Sequence, residues 1–173
     1  MSNARYEFQE NSYYHVYNRG YKKQTLCRSD VDFQRLYDYV IKNHKLFPEI
    51  QIVSYCFLPN HFHFIFRSLE TGLKISDFMR RIQVSYAMYF KRKFETGLDD
   101  ELPKFPVFEW RFQAKHIDTE EYLAQCIAYV NYNPLKHGIV TDICDYRWTS
   151  YHQFSGNKKI VSYKDMILSE LEY

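Results

Sequence analysis

The stretch from residue 50 to residue 67 constrains the fold of this chain more than any other. Residues 50–58 and 61–67 are two strongly β-prone runs joined at Leu58-Pro59-Asn60. The Pro-Asn pair suits a tight turn, so the two runs form an antiparallel hairpin. The second run opens with His61-Phe62-His63. Residues two apart on a strand point to the same face. Both imidazoles therefore stand side by side, while Phe62 turns the other way into a core. Two neutral imidazoles at this spacing are two arms of a metal site. The plainer alternative is a satisfied core or surface pair. A third ligand and a nucleophile have to come from elsewhere in the chain.

The flanking segments supply the rest of an α+β domain. Residues 13–18 read as a first strand, closed by Arg19-Gly20. Residues 30–47 read as a helix, with Phe33, Leu36, Tyr37, Val40 and Ile41 at helical spacing and Pro48 just past its end. A second long helix is expected over 75–95, then a loop over 96–106 and a fourth strand over 107–117. A third helix over 119–132 has Thr119 as cap and Glu120-Glu121 in its first turn, with Pro134 and Gly138 ending it. The tail, 141–173, is less regular, with a short terminal helix expected at 163–172. The order predicts an antiparallel sheet of the split βαβ, ferredoxin-like type, with helices packed on one face. The whole chain, 1–173, reads as a single domain whose core spans about 13–140.

Composition narrows the function classes. The 173 residues are 46% apolar and 25% charged, an ordinary globular balance. A net charge of +2 restricts any nucleic-acid contact to a local basic patch. The 17 Tyr and 14 Phe fit a strand-rich core, or for some of the tyrosines a surface on which bases stack. No apolar run approaches the length of a membrane span, and the N-terminus lacks a secretory pattern, so a cytoplasmic, nucleoid-associated protein is expected. Cys27, Cys56, Cys126 and Cys144 form no C-x-x-C pair and read as buried thiols.

The third helix carries the remaining chemistry. Tyr129 and Asn133 are four residues apart and share a face. Asn133 precedes Pro134, which biases it away from helical geometry and frees its amide for a ligand or for a helix cap. If this helix packs on the sheet face that displays His61 and His63, two imidazoles and an amide oxygen surround one point beside a phenol. A divalent cation held there grips a phosphate oxygen and orients the phosphorus for attack. A free tyrosine has a pKa near ~10, so a dication or base must favour the phenolate. Attack on DNA phosphorus conserves the broken bond as a phosphotyrosine, which allows later rejoining without ATP. Tyr132 and Tyr86 are the rival nucleophiles. His15 and His116 are secondary candidates near the sheet face.

These motifs resemble the HUH superfamily of single-strand DNA endonucleases, and within it the single-tyrosine transposases associated with REP sequences. The matching segments are Tyr14-His15-Val16-Tyr17-Asn18-Arg19-Gly20, Leu58-Pro59-Asn60-His61-Phe62-His63, Tyr86-Ala87-Met88-Tyr89-Phe90-Lys91-Arg92, Arg111-Phe112, Tyr129-Val130-Asn131-Tyr132-Asn133-Pro134 and Tyr146-Arg147-Trp148-Thr149-Ser150-Tyr151. The resemblance implies a ferredoxin-like fold, Mg²⁺ or Mn²⁺ on His61, His63 and Asn133, and Tyr129 as nucleophile. It implies a single-stranded DNA substrate read near a hairpin, by a monomer or a homodimer. Candidate DNA contacts are Arg19 and Arg111 in the matched segments, Arg80 and Arg81 on the second helix, whose basic run reads equally as a solvated face, and Trp148 as a stacking aromatic or a plug on the core. Two departures stand out. Phe108-Glu109 replaces a Trp-Gln pair common in relatives, and Asn133 replaces a frequent Gln. The rival functions are a non-catalytic nucleic-acid-binding module, such as a domesticated relative, and a metal hydrolase using water.

Overall fold

Strand β3 (His61–Ser68) organises the molecule because its two faces do different jobs. The computed structural model describes residues 6–94 and 106–154. Around β3 lie β1 (Ser12–Arg19), α1 (Asp30–His44), β2 (Ile50–Phe57), α2 (Lys74–Phe94), β4 (Gln113–Ile117), α3 (Glu120–Lys136) and the short α4 (Tyr151–Phe154). The sheet order is β2-β3-β1-β4, and every neighbouring pair is antiparallel. β1 and β2 thus run parallel with β3 between them, which is the expected split βαβ arrangement.

On one face of β3, Phe62, Phe64 and Phe66 are completely buried. Phe66 meets Phe78 of α2 edge-on, with ring centroids 5.6 Å apart, and Phe57 of β2 meets Tyr37 of α1. Helices α1 and α2 cover this face. They are clamped together by Asp32, whose carboxylate accepts from Ser29 N at the start of α1 and from Tyr89 Oη of α2. The expectation of helices on one face holds for α1 and α2 only. Helix α3 packs on the opposite face, against β2 and β3. A two-faced apolar and aromatic sheet has to be covered on both sides.

Three element boundaries differ from the sequence-based expectation. Helix α1 stops at His44, which lets Phe47 fold back against Phe78 at a centroid distance of 5.7 Å. The fourth strand is regular only over Gln113–Ile117, because Trp110 has a left-handed backbone (φ 61°) that interrupts the ladder. Helix α3 continues through Pro134 to Lys136. Asn133 stays helical, its Nδ2 donating to Tyr129 O at 2.8 Å, and burial of Pro134 offsets its missing donor. Gly138 then ends the helix at φ 63°, with Gly138 N donating to Leu135 O and Ile139 N to Pro134 O.

The described part of the tail belongs to the core. Phe57 N donates to Trp148 O and Ser150 N to Tyr55 O, so residues 148–150 extend the outer edge of β2. Tyr146 Oη donates to Phe57 O at 2.6 Å. Cys27, Cys56 and Cys126 are buried, but Cys144 is exposed; all four are free thiols. The expected helix at 163–172 and all but the last residue of the expected 96–106 loop lie outside the described residues. No helix among the described residues is long and apolar enough to cross a membrane.

Candidate active site

The face of β3 opposite the phenylalanines carries His61, His63 and Ile65, and antiparallel pairing sets Arg19, Tyr17 and His15 of β1 beside them. Helix α3 lies across this surface. Thr119 caps it, accepting from Tyr122 N at 3.1 Å. Its register is held by Asn131, which is buried. Asn131 Nδ2 donates to Ser54 Oγ, and its Oδ1 accepts from Thr149 Oγ1 at 2.9 Å and Ser150 Oγ at 2.8 Å. That clamp brings the Tyr129 ring edge-on to His63, with centroids 5.6 Å apart and an interplanar angle of 86°.

The histidines form a chain. His15 Nε2 lies 2.9 Å from His63 Nδ1, and His61 Nδ1 lies 2.6 Å from Asn60 Oδ1. Each of the two β3 imidazoles therefore has its Nδ1 held and its Nε2 left for another partner. This is the second-sphere arrangement that orients metal-ligating histidines. His63 Nε2 and Asn133 Oδ1 are buried and lack a hydrogen-bond partner among the described residues. Buried polar atoms are rarely left so. No group of three His, Cys, Asp or Glu side chains among the described residues forms a metal cluster. The donor set on offer is two imidazoles and an amide oxygen.

Electrostatics favour neutral imidazoles. Burial, then the neighbouring His137 and Arg19, pushes His61 down to about 4. Burial, then Lys115, brings His15 to about 4 as well. His63 is driven well below the ordinary value by burial and by His15 and His61. Neutral imidazole is the ligating form. Burial raises the pKa of Tyr129, against a smaller opposing effect of Asn133, so the protein alone does not ionise it. Lys136 Nζ stands 5.0 Å from the centre of the Tyr129 ring.

Residues 8–133 match the family described as Transposase IS200 like. The chain belongs to this family. It is 25% identical over 169 residues to a Haemophilus influenzae protein bearing the name REP-associated tyrosine transposase, across 88% of this chain and 87% of that one. A solved structure of a REP-associated tyrosine transposase bound to a REP hairpin aligns over 91% of this chain and 86% of the other. Its TM-score is 0.72 at 20% identity, which establishes the common fold.

Within this IS200-like transposase, the sequence-predicted residues divide into three groups. His61, His63, Tyr129 and Asn133 converge as described. Arg19 is the strand partner of His61 and is ion-paired with Glu109, so it borders the site. Arg111 is exposed on the segment that enters β4. Arg80 and Arg81 do not join them. They are exposed on α2, across the sheet from the histidines, where Arg80 pairs with Asp77 at 3.5 Å and Arg81 lies over Phe47. Trp148 is not a stacking surface either: it is buried on Phe33, and its Nε1 donates to Asp30 at 3.1 Å. Of the rival tyrosines, Tyr86 is buried on the α2 side with its hydroxyl donating to Leu26 O, and Tyr132 packs against Tyr151. His116 points to the α2 side, beside Tyr14.

Sequence reasoning missed His137 and Trp110. His137 follows the last turn of α3, with its ring 5.1 Å from that of His61. His61 and His137, with Thr25, Pro59, Asn60 and Ile139, line a cleft of about 280 Å³. Nothing in local spacing marks His137, because its neighbour is 76 positions away.

Proposed function

We propose that this transposase nicks and rejoins single-stranded DNA beside a hairpin, with Tyr129 as nucleophile and a divalent metal, Mg²⁺ or Mn²⁺, on His61, His63 and Asn133. One observation carries the proposal. His63 Nε2 and Asn133 Oδ1 are buried without partners among the described residues, and both residues contact Tyr129. A bound dication would neutralise charge on a phosphate oxygen and favour the phenolate. The chain's own groups do the remainder. Asn60 and His15 hold the two imidazoles in orientation, and the Asn131 clamp holds Tyr129 in register.

Tyr129 Oη attacks the phosphorus and the bond from phosphorus to the 3′ oxygen breaks. The phenol loses one proton and the leaving 3′-hydroxyl gains one, so a 5′-phosphotyrosine and a free 3′ end result. Attack by a 3′-hydroxyl on the phosphotyrosine reverses the step and joins strands. In this reading Tyr129 serves the histidines of its own chain, in a monomer or in each half of a homodimer, which the packing of α3 on its own sheet supports. A hairpin partner is supported by the REP hairpin bound to the structurally similar transposase.

The test is incubation with Mn²⁺ and an end-labelled hairpin oligonucleotide carrying an unpaired flank. A denaturation-resistant adduct is expected, and Tyr129→Phe should form none. An adduct that survives Tyr129→Phe sinks the nucleophile assignment. A wild-type protein that holds DNA equally with chelator and with Mn²⁺, and forms no adduct, is a binding module.

A further inference from the structure

The β1–β4 ladder pairs Tyr17 with Gln113 and then breaks. The next bridge joins Gly20 to Phe108, three residues further along β1 but five along the other segment. Two extra residues must be accommodated, and the backbone bulges at Trp110-Arg111. Bulges of this kind re-aim side chains next to active sites. The bulge is pinned on both sides. Phe108 is buried against Phe62, Glu109 N donates to Arg19 O at 2.9 Å, and Phe112 is buried beside Tyr6.

Trp110 occupies this bulge at φ 61°, a backbone conformation costly for a bulky L residue and natural for glycine. Burial does not offset that cost. Trp110 is 85% exposed and has no hydrogen bond or ring contact among the described residues. The largest apolar side chain is thus held in a strained conformation by a rigid loop, and it points into solvent. Strain of this sort persists where function needs the side chain's position. The bulge adjoins Arg19, the strand partner of His61, so it stands at the site's end of the sheet. Arg111 follows it and is exposed.

We propose that Trp110 is a stacking platform for one unpaired nucleobase of the strand that leads to Tyr129, with Arg111 binding an adjacent phosphate. The proposal rests on the single-stranded substrate proposed above. An indole face accepts any base, so the contact positions the strand with little regard to sequence. Arg111 supplies the charge that tracks the backbone.

Fluorescence tests it directly, because the chain has two tryptophans and the other, Trp148, is buried. Oligo(dT) is titrated into the full-length protein in the presence of chelator, so that no cleavage intervenes. Quenching is expected in the wild type and equally in Tyr129→Phe. Trp110→Gly suits the left-handed backbone, so it should retain the wild-type melting temperature while binding about 5- to 150-fold more weakly. Trp110→Phe keeps a ring and should stay within about threefold of the wild type. Unquenched fluorescence, or a Trp110→Gly variant that binds as tightly as the wild type, overturns the proposal. An adduct without quenching removes the stacking platform alone. Quenching without an adduct removes the strand-transfer chemistry alone.

Discussion

The two faces of strand β3 differ more than any two regions of the molecule. One face is a dry aromatic layer in which Phe62, Phe64 and Phe66 are fully buried under α1 and α2. The other carries the histidine chain under α3, where His63 Nε2 and Asn133 Oδ1 are buried without a partner among the described residues. A single residue of register separates the two, because strand side chains alternate. Stability is built on one side, and the proposed chemistry lies on the other. The chemical side carries a thermodynamic penalty that the aromatic side offsets.

The sharpest way to break this division is to truncate each face in turn. Phe64→Ala should cost about 3–5 kcal/mol in urea denaturation, as expected for a fully buried phenylalanine. Equal losses from Phe64→Ala and from His61→Ala would mean that both faces are structural.

Between pH 6.5 and 4 acid should act mainly on the histidine face, because the Asp32 carboxyl on the other face is held, against burial, at about 2 by Lys93 and Tyr89 and gives way mostly below that range. His15 and His61 have folded-state values of about 4 against 6.5 for an unconstrained imidazole. The unfolded chain therefore takes up protons first as pH falls. Their contribution is complete above pH 6.5 and declines towards pH 4. At pH 5 each has lost roughly 2 kcal/mol. Thermal melts of the metal-free protein across this range should show the decline, and replacing His15 and His61 with Gln should flatten it.

Two asparagines on one helix sharpen the comparison further. Asn131→Ala removes three buried hydrogen bonds, to the hydroxyls of Ser54, Thr149 and Ser150, and should cost about 2 kcal/mol. Asn133→Ala removes the single bond from Nδ2 to Tyr129 O and an amide oxygen that bonds nothing among the described residues, so its stability cost should be about 1 kcal/mol, less than that of Asn131→Ala. The proposed adduct should nevertheless vanish in Asn133→Ala, as it should in His61→Ala, whose stability changes by less than about 1 kcal/mol. A stable Asn133→Ala protein with full metal-dependent adduct formation would remove Asn133 from the ligand set.

Much of the site was legible locally. The His-Phe-His alternation, the Pro-Asn turn and the i, i+4 pair Tyr129 and Asn133 each follow from a short-range period, and short-range periods survive folding. Long-range competition explains the misses. Pro134 reads as a helix end, yet packing and the Gly138 turn carry α3 past it. Trp148 and Trp110 are the same residue type in segments that both lack clear periodicity. One is buried on Phe33 and the other is 85% exposed, because only one has a partner helix above it. Arg80 and Arg81 read as DNA contacts from charge alone, and the sheet separates them from the histidines.

By itself, then, the order of residues determined the strand hairpin, the paired imidazoles on one of its faces, and the phenol and amide aligned on a later helix. These depend on dihedral preferences and on the two- and 3.6-residue repeats, which act over a few positions. Tertiary structure decided which sheet face α3 covers, and hence that Tyr129 meets His63 across more than sixty intervening residues. It also decided which nitrogen of each histidine stays available and which tryptophan meets solvent. Those outcomes follow from close packing and from satisfying buried hydrogen bonds over the whole core, and no local repeat encodes them.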